Sequence, residues 1–206
     1  MDKPTDEARG CLDLWFDLAS TYSYLTAMRI VPLAMAADVD VRWRPFLLGP
    51  IFKARGWDTS PFNLYPDKGR YMWRDMERLA QAQGLALVRP EPFPQNSLLA
   101  ARAALSPAVA PHQAAFCRGV FAAEFAEGQS ISEPTTLAGI AAGLGLDAEA
   151  ILAEATSGAV KERLKEETTE AQRLGIFGAP TFVAADGELF WGNDRLEHAL
   201  AWVTRA

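Results

Sequence analysis

The sequence predicts an α/β fold in which a block of helices interrupts a small sheet. Strand, helix and strand patterns follow one another over residues 11–46, and two further short strand patterns lie near the end, at 181–191. Between about residues 96 and 174 the apolar residues have only helical spacing. The chain has 206 residues, half of them hydrophobic, which is enough for one buried core or for one domain that carries a large insert.

Charge and composition narrow the classes of function. The formal net charge is −6 and there is no run of basic residues, which argues against nucleic acid as the main partner. The first residues, MDKPTDEARG, lack the apolar core of a signal peptide, and no apolar stretch reaches the length of a membrane span. We therefore expect a soluble cytoplasmic protein that binds neither nucleic acid nor membrane.

Two cysteines are present, and their positions favour a structural role. Cys11 and Cys117 are far apart in the chain and have no metal-ligand spacing. Cys11 opens a predicted strand and Cys117 lies in a predicted helix, so we expect both to be small buried hydrophobic residues. The sequence predicts no metal site.

The first unit of the chain is strand, helix, strand. Residues 11–18 form an apolar run broken by two aspartates, which is typical of a central strand covered on both faces. Helical spacing follows from Thr21 to about Ala36, and Pro32 inside it predicts a kink or an early end. Residues 39–46 alternate as a half-buried strand does, so the crossover between the two strands is expected to be right-handed.

The next stretch, from residue 47 to 69, is rich in Gly, Pro and aromatic residues and lacks periodicity. We expect a long irregular connection, which in compact domains is usually functional or mobile. A helix is predicted over 70–83, with Gly84 as its stop, and residues 89–95 form a proline-rich connector.

Five helices are predicted in the block that follows. Asn96 can cap the first, residues 112–127 form the second, Pro134 starts the third, Asp147 caps a short fourth, and Gly175 ends the fifth. The block contains a loose G-x-G-x-x-A spelling at 143–148, but no strand precedes it, so we reject a dinucleotide site there.

Two strands and a helix complete the chain. The apolar runs within 181–191 are joined by Asp186-Gly187, a strong pattern for a two-residue hairpin. Asn193 or Asp194 is expected to cap a last helix over 195–204. This order of elements predicts a thioredoxin-like fold interrupted by an all-α insertion domain. We place the thioredoxin-like domain at 1–64 and 176–206, and the insertion at 65–175.

Ser20 and Ala179-Pro180 stand where such a fold carries its active site. Ser20 lies at the turn between the first strand and the first helix, where a hydroxyl can cap free N–H groups and the helix dipole favours negative charge. Ala179-Pro180 opens an apolar strand pattern, which makes it a candidate for a cis peptide bond.

Four segments resemble a known family: FDLASTYSYL, RPFLLGPIFKARG, IFGAPTFV and LFWGNDRLE. They are similar to the 2-hydroxychromene-2-carboxylate isomerase and kappa-class glutathione transferase branch of the DsbA-like thioredoxin superfamily, and they occur in the family's order. Where oxidoreductases of that superfamily have Cys-x-x-Cys, this chain has Ser20-Thr21-Tyr22-Ser23. The resemblance implies glutathione as cofactor, a small aromatic substrate and a homodimer.

The resemblance also implies roles for single residues. Ser20 matches the serine that contacts the glutathione sulfur, although Thr21 replaces the proline that usually follows it. The pair Ala179 and Pro180 matches the cis-proline loop that pairs with the cysteinyl part of glutathione. Asn193 and Asp194 match positions that hold its γ-glutamyl end. The alternative for the last two is an ordinary helix cap, and for Ser20 an N-cap alone.

Three residues are candidates for contact with the substrate. Lys53 matches a family position near the glutathione and substrate pocket, where its ammonium could hold an anionic substrate, although an unaided loop lysine is most often solvated. Trp57 stands where relatives commonly have Asn after Gly, and it offers an aromatic wall or packing between domains. Tyr22, within the Ser20 turn, is the third candidate.

A hydroxyl at this turn could stabilise a thiolate that the protein does not itself own. The leading hypothesis is therefore a glutathione-dependent isomerase of 2-hydroxychromene-2-carboxylate or a related aromatic catabolite. A kappa-like glutathione transferase is the first alternative, and a redox-inactive binding or chaperone module is the second. A serine hydrolase is disfavoured, because the only histidines, His112 and His198, lie on predicted helices away from the turn.

Overall fold

A four-stranded mixed sheet forms the centre of the computed structural model, which describes residues 9–205. Its strands are β1 (Gly10–Phe16), β2 (Val39–Pro45), β3 (Thr181–Ala184) and β4 (Leu189–Trp191). The order in the sheet is β2-β1-β3-β4, with β1 parallel to β2 and antiparallel to β3, and β3 antiparallel to β4. All four predicted strands are present with slightly shifted ends, and β1 is central as predicted.

Helix α1 (Thr21–Ala36) joins β1 to β2 and has the predicted bounds. The early end expected at Pro32 does not occur, because the helix continues to Ala36. A proline removes one backbone donor, but the last turn still closes through the amide of Ala37, which donates to the carbonyls of Leu33 and Ala34.

The connection after β2 is more regular than the sequence predicts. It contains two short helices, α2 (Leu48–Lys53) and α3 (Pro61–Leu64), and the next helix, α4 (Pro66–Ala82), begins before residue 70. The prediction of an irregular connection was therefore wrong. Helices of four to six residues span too few turns to produce a recognisable apolar period.

Five further helices precede β3, as predicted. They are α5 (Leu98–Ala104), α6 (Gln113–Phe125), α7 (Pro134–Gly143), α8 (Ala148–Thr156) and α9 (Gly158–Arg173). A 3₁₀ turn at Ala110–His112 leads into α6. The side chain of Asp147 accepts a hydrogen bond from the amide of Ala150, which confirms it as the cap of α8. The rejected G-x-G-x-x-A segment connects α7 to α8.

The β3–β4 hairpin turns around Asp186-Gly187, with Gly187 at φ +89°. Such a positive φ is accessible to glycine at little cost. The hairpin loop is longer than the predicted two residues, because the amide of Ala184 donates to the carbonyl of Glu188. A 3₁₀ turn at Asn193–Arg195 follows β4, and the last helix is α10 (Leu196–Val203). Within residues 9–205, no helix is both long and apolar enough to cross a membrane.

One hydrophobic cluster joins the sheet to the inserted helices. Tyr24 of α1 stacks on Phe125 of α6 with ring centroids 5.5 Å apart, and Phe16 of β1 lies 5.9 Å from Phe121. Aromatic pairs of this kind add about 0.5–1.5 kcal/mol beyond their buried area. The boundaries proposed for the two domains, at residues 65 and 175, stay a prediction.

Both cysteines are free thiols. Cys117 is fully buried on α6 as predicted, and burial raises the pKa of its thiol, which keeps it protonated. Cys11 is only partly buried, so the prediction of burial was wrong for this residue. It stands in the second position of β1, at the start of the strand.

Candidate active site

The turn between β1 and α1 presents the hydroxyl of Ser20. Ser20 has extended backbone geometry, with φ −93° and ψ 120°, and its Oγ accepts a hydrogen bond of 3.4 Å from the amide of Ser23. This confirms Ser20 as the N-cap of α1. The side chain is only partly buried, so the hydroxyl at the positive end of a 16-residue helix remains open to a ligand.

The remote proline turn lies against Ser20. The Ala179-Pro180 peptide bond is cis, as predicted. The hydroxyl of Ser20 donates a hydrogen bond of 3.2 Å to the carbonyl oxygen of Ala179, across 159 positions of sequence. Pro180 is buried behind this contact, and its carbonyl accepts from the amide of Gly192. Segments that are far apart in the sequence therefore meet at the hydroxyl of Ser20.

A cavity of about 1010 Å³ opens beside this contact. It is lined by the Ser20 turn, α2, the segment from Trp57 to Phe62, the segment from Phe93 to Leu98, and the turn before β3. Ligand pockets of drug-sized molecules are typically about 300–1,000 Å³. The space therefore suits a tripeptide-sized ligand, a small ring compound, or both together.

Aromatic rings form much of the cavity wall. Tyr22 lies 6.5 Å from Phe62, and Phe52 lies 5.8 Å from Trp57, measured between ring centroids. All four residues line the cavity, including two of the three predicted substrate contacts, Tyr22 and Trp57. Rings placed in this way can stack against an aromatic ligand.

The hydroxyl of Tyr22 is not free to act as an acid. It donates a hydrogen bond of 3.0 Å to Asp75 on α4. Burial and the neighbouring carboxylate raise the pKa of the phenol above its usual value, so Tyr22 stays protonated at neutral pH. Its contribution to the site is a ring and a fixed hydroxyl orientation.

Asn193 and Asp194 line the cavity, but they do not cap the last helix. The cap of α10 is Arg195, without a side-chain hydrogen bond, so the predicted helix cap was wrong. The amide oxygen of Asn193 is taken by the hydroxyl of Thr26 at 3.0 Å and by Nε of Arg29 at 3.1 Å. Asp194 is exposed and pairs with the neighbouring Arg195.

Two predicted site residues, Pro180 and Lys53, are not among those that line the cavity. Pro180 is buried beside the lining residue Ala179, whereas Lys53 lies outside the site. Lys53 ends α2 and is exposed. Two residues later, Arg55 does line the cavity. The position of Lys53 therefore gives no support to a contact with glutathione or substrate.

Asp17 is a site residue that sequence reasoning missed. Its Oδ1 accepts from the amide of Ala19 at 3.0 Å and from the hydroxyl of Ser97 at 2.7 Å, and its Oδ2 accepts from the amide of Leu48 at 2.8 Å. Burial raises the pKa of this carboxyl, while the three donors oppose the rise. The only sequence sign was an aspartate inside an apolar strand pattern.

The described part of the chain offers no groups for serine-hydrolase chemistry with a histidine base or for a metal site. Both histidines are exposed, and neither lines the cavity, so Ser20 has no histidine base. No group of three potential metal ligands occurs within residues 9–205. The chemistry available at the site is the stabilisation of a ligand anion by a hydroxyl, backbone amides and a helix terminus.

Comparison with known proteins identifies the family of the chain. Residues 11–201 match the family described as a DSBA-like thioredoxin domain. The 2-hydroxychromene-2-carboxylate isomerase of Pseudomonas putida is 32% identical over 90% of this chain and 90% of its own. Human glutathione S-transferase kappa 1 is 29% identical over 90% of this chain and 87% of its own.

A solved structure gives the same picture of the fold. The structure of a selenomethionine 2-hydroxychromene-2-carboxylate isomerase superposes with a TM-score of 0.83, at 32% identity. The match covers 95% of this chain and 96% of that one. The predicted fold class, a thioredoxin-like fold with inserted helices, is confirmed.

Proposed function

The chain belongs to the family of DSBA-like thioredoxin domains, in the branch that contains 2-hydroxychromene-2-carboxylate isomerases and kappa-class glutathione transferases, and on that premise we propose a glutathione-dependent isomerase. Its substrate would be 2-hydroxychromene-2-carboxylate or a related aromatic compound. Ser20 would be the catalytic residue, because its hydroxyl would contact the sulfur of the cofactor.

The observation that carries the proposal is the position of the Ser20 hydroxyl. It stands at the N-terminus of α1, touches the carbonyl of Ala179, and lines a cavity of about 1010 Å³ that is large enough for cofactor and substrate. The turn holds serine where a redox protein would hold cysteine. A thiol used here must therefore come from a ligand.

The energy needed to activate such a thiol is within reach of this turn. An ordinary thiol has a pKa near 8.5, and lowering it by about two units requires roughly 2.7 kcal/mol of differential stabilisation. A hydrogen bond to a charged group contributes about 1.5–3 kcal/mol, and the helix terminus adds about 0.3–1 kcal/mol. Ser20 and α1 together could hold a thiolate at neutral pH.

The surrounding residues fit the rest of a glutathione molecule. The backbone of Ala179 can pair with the extended cysteinyl part, and the exposed carboxylate of Asp194 can attract the ammonium of the γ-glutamyl end. The Oδ1 atom of Asn193 already accepts from Thr26 and Arg29, so that atom would hold the turn in place instead of contacting the ligand. When bound, glutathione supplies a thiolate that adds reversibly to a conjugated double bond and lets it rotate.

The aromatic wall is suited to the ring of the second ligand. Tyr22, Phe62 and Trp57 would hold the ring close to Ser20 and exclude water from it. Positioning of this kind supplies a large part of the rate enhancement in reactions between two bound molecules. Tyr22 and Trp57 therefore keep the substrate roles predicted for them.

A kappa-like glutathione transferase is the second candidate, because the human relative at 29% identity has that name. Both activities would use the same thiolate. Product analysis separates them, since an isomerase regenerates glutathione and a transferase consumes it. A redox-inactive binding module is a third possibility, and it predicts no binding of millimolar reduced glutathione in a calorimetric titration.

The decisive experiment compares Ser20→Ala with Ser20→Thr, which keeps a hydroxyl at the same cap. Loss of the hydroxyl should raise the thiol pKa of bound glutathione by about one to two units and should reduce turnover about 10- to 100-fold. The pKa is measured from the ultraviolet absorbance of the thiolate. The threonine variant should retain most of the pKa depression. Full glutathione-dependent turnover in Ser20→Ala would show that the hydroxyl has no such role.

A further inference from the structure

Arg55 stands at the mouth of the cavity, in the connection between α2 and α3. Among the described residues that line the cavity it is the single lysine or arginine. Its side chain is exposed, and it forms no ion pair with a carboxylate within residues 9–205. Its guanidinium donors are therefore free for a ligand.

The other charged groups that line the cavity are carboxylates: Asp17, Asp58, Asp75 and Asp194. They repel an anionic ligand group, and the helix N-terminus at Ser20 is reserved for the sulfur in the proposed function. A ligand that carries a carboxylate into this cavity consequently has one favourable cationic position, which is beside Arg55. An arginine suits it well, since its planar guanidinium matches a carboxylate with two parallel hydrogen bonds.

The orientation of Arg55 supports this assignment. Its guanidinium carbon lies 5.8 Å from the centre of the Phe177 ring, and Phe177 packs on Trp191 with centroids 4.7 Å apart. Phe177 precedes the turn that contains Ala179 by two residues. Arg55 therefore reaches across the mouth from the α2–α3 connection towards the wall beside Ser20. Contact with an aromatic face fixes the side chain without neutralising its charge.

We propose that Arg55 determines specificity by binding a ligand carboxylate at the cavity mouth. The inference rests on the proposed function for its two candidate ligands, glutathione and an aromatic acid. Either molecule could supply the carboxylate: glutathione through its glycyl end, or the substrate through its own acid group. Lys53, which the family resemblance had suggested for an anionic substrate, is only two residues away but lies outside the lining.

The test compares Arg55→Gln with Lys53→Gln and with the control Arg118→Gln, which removes an exposed arginine of α6 outside the cavity lining. Calorimetry would measure the binding of reduced glutathione, its glycyl ethyl ester, salicylate and salicylamide to each protein. Arg55→Gln should weaken one carboxylate ligand about tenfold and leave its neutral analogue unchanged, because one charge-assisted contact is lost. Arg55→Lys should recover part of the loss.

The four ligands separate the possible sources of the carboxylate. A loss confined to glutathione and absent for its ester assigns Arg55 to the glycyl end, and a loss confined to salicylate assigns it to the aromatic substrate. Unchanged affinities in Arg55→Gln, an equal loss for salicylamide, or a loss seen only in Lys53→Gln would overturn the inference. If the unmodified protein binds salicylate through Arg55 but no glutathione, the proposed function fails and the inference stands.

Discussion

Asp17 and Glu124 are both carboxyl side chains withdrawn from solvent, at 6% and 0% exposure, but their surroundings differ. Asp17 accepts three hydrogen bonds, from Ala19, Leu48 and Ser97. Within the described residues, neither oxygen of Glu124 has a hydrogen-bond partner. Burial raises the pKa of both groups, and the nearby Asp17 adds to the rise for Glu124.

The difference shows that equal burial does not give equal roles. The donors to Asp17 come from the Ser20 turn, from the start of α2 and from the residue before α5, which are three walls of the cavity. Asp17 therefore links three walls of the cavity through its hydrogen bonds. Glu124 lies on α6 among packed helices, where an unpaired carboxyl costs free energy and organises nothing.

The largest expected effect is that of Asp17→Ala. The change leaves two buried donors and one partly buried donor without an acceptor, and each such loss costs about 1–3 kcal/mol, so the free energy of unfolding should fall by about 3 kcal/mol or more. Urea denaturation at neutral pH measures it, and calorimetry should show weaker glutathione binding. Asp40→Ala, at an exposed position on β2, is the control. A loss no larger than in that control would contradict the role given to Asp17.

Glu124→Met should act in the opposite direction. An unbranched apolar side chain of similar length removes the unpaired carboxyl and keeps the packing, so we expect stabilisation by about 2 kcal/mol at neutral pH. The same denaturation experiment measures it. A Glu124→Met protein less stable than the unmodified chain would mean that this carboxyl has a partner that stabilises it.

The pH dependence of stability sharpens the same point. The folded-state pKa of Glu124 is raised, so protonation of this carboxyl stabilises the folded state. That stabilisation is fully present below the unfolded pKa of about 4.3 and is lost as pH rises towards the folded pKa. Stability should fall by up to about 1.4 kcal/mol per pH unit in that window. Asp17 adds a slope of the same sign. Glu124→Gln, which cannot ionise, should flatten the curve; identical curves would argue against a buried acid here.

Ser97→Ala is the smallest of these changes. It removes one of the three donors to Asp17 and should cost about 1 kcal/mol. Because the Ser97 hydroxyl lowers the pKa of Asp17, its loss should raise that pKa further, which a carboxyl NMR titration can follow. The control is Ser157→Ala, a helix cap remote from Asp17 in the chain, which should leave the titration of Asp17 unchanged. A titration unaffected by Ser97→Ala would refute the contact.

Much of the fold could be predicted because its determinants are local. The apolar period of α1, the alternation of β2 and the Asp186-Gly187 turn each depend on residues close together in sequence. The Ser20 cap was predicted for the same reason. The short helices α2 and α3 were missed, since neither is long enough to display a period.

The parts of the site that were missed depend on distant partners. Two of the donors to Asp17 lie 31 and 80 positions away along the chain. Asn193 was expected to cap a helix, but its amide oxygen accepts from Thr26 and Arg29 of α1, more than 160 positions earlier. Arg55 was not predicted, because Lys53 and not Arg55 matches the family pattern. Which of two neighbouring cations lines a cavity depends on tertiary packing.

The contact between Ser20 and Ala179 has a consequence for ligand choice. The Ser20 hydroxyl already donates its hydrogen to the carbonyl oxygen of Ala179, so a bound ligand must accept that hydrogen bond more strongly than this neutral acceptor does. A sulfur anion can do so, since bonds to charged acceptors are roughly twice as strong as neutral ones. A thioether sulfur is only a weak acceptor. S-methylglutathione should therefore leave the resting bond in place, and the turn would discriminate between blocked and reactive forms of one peptide.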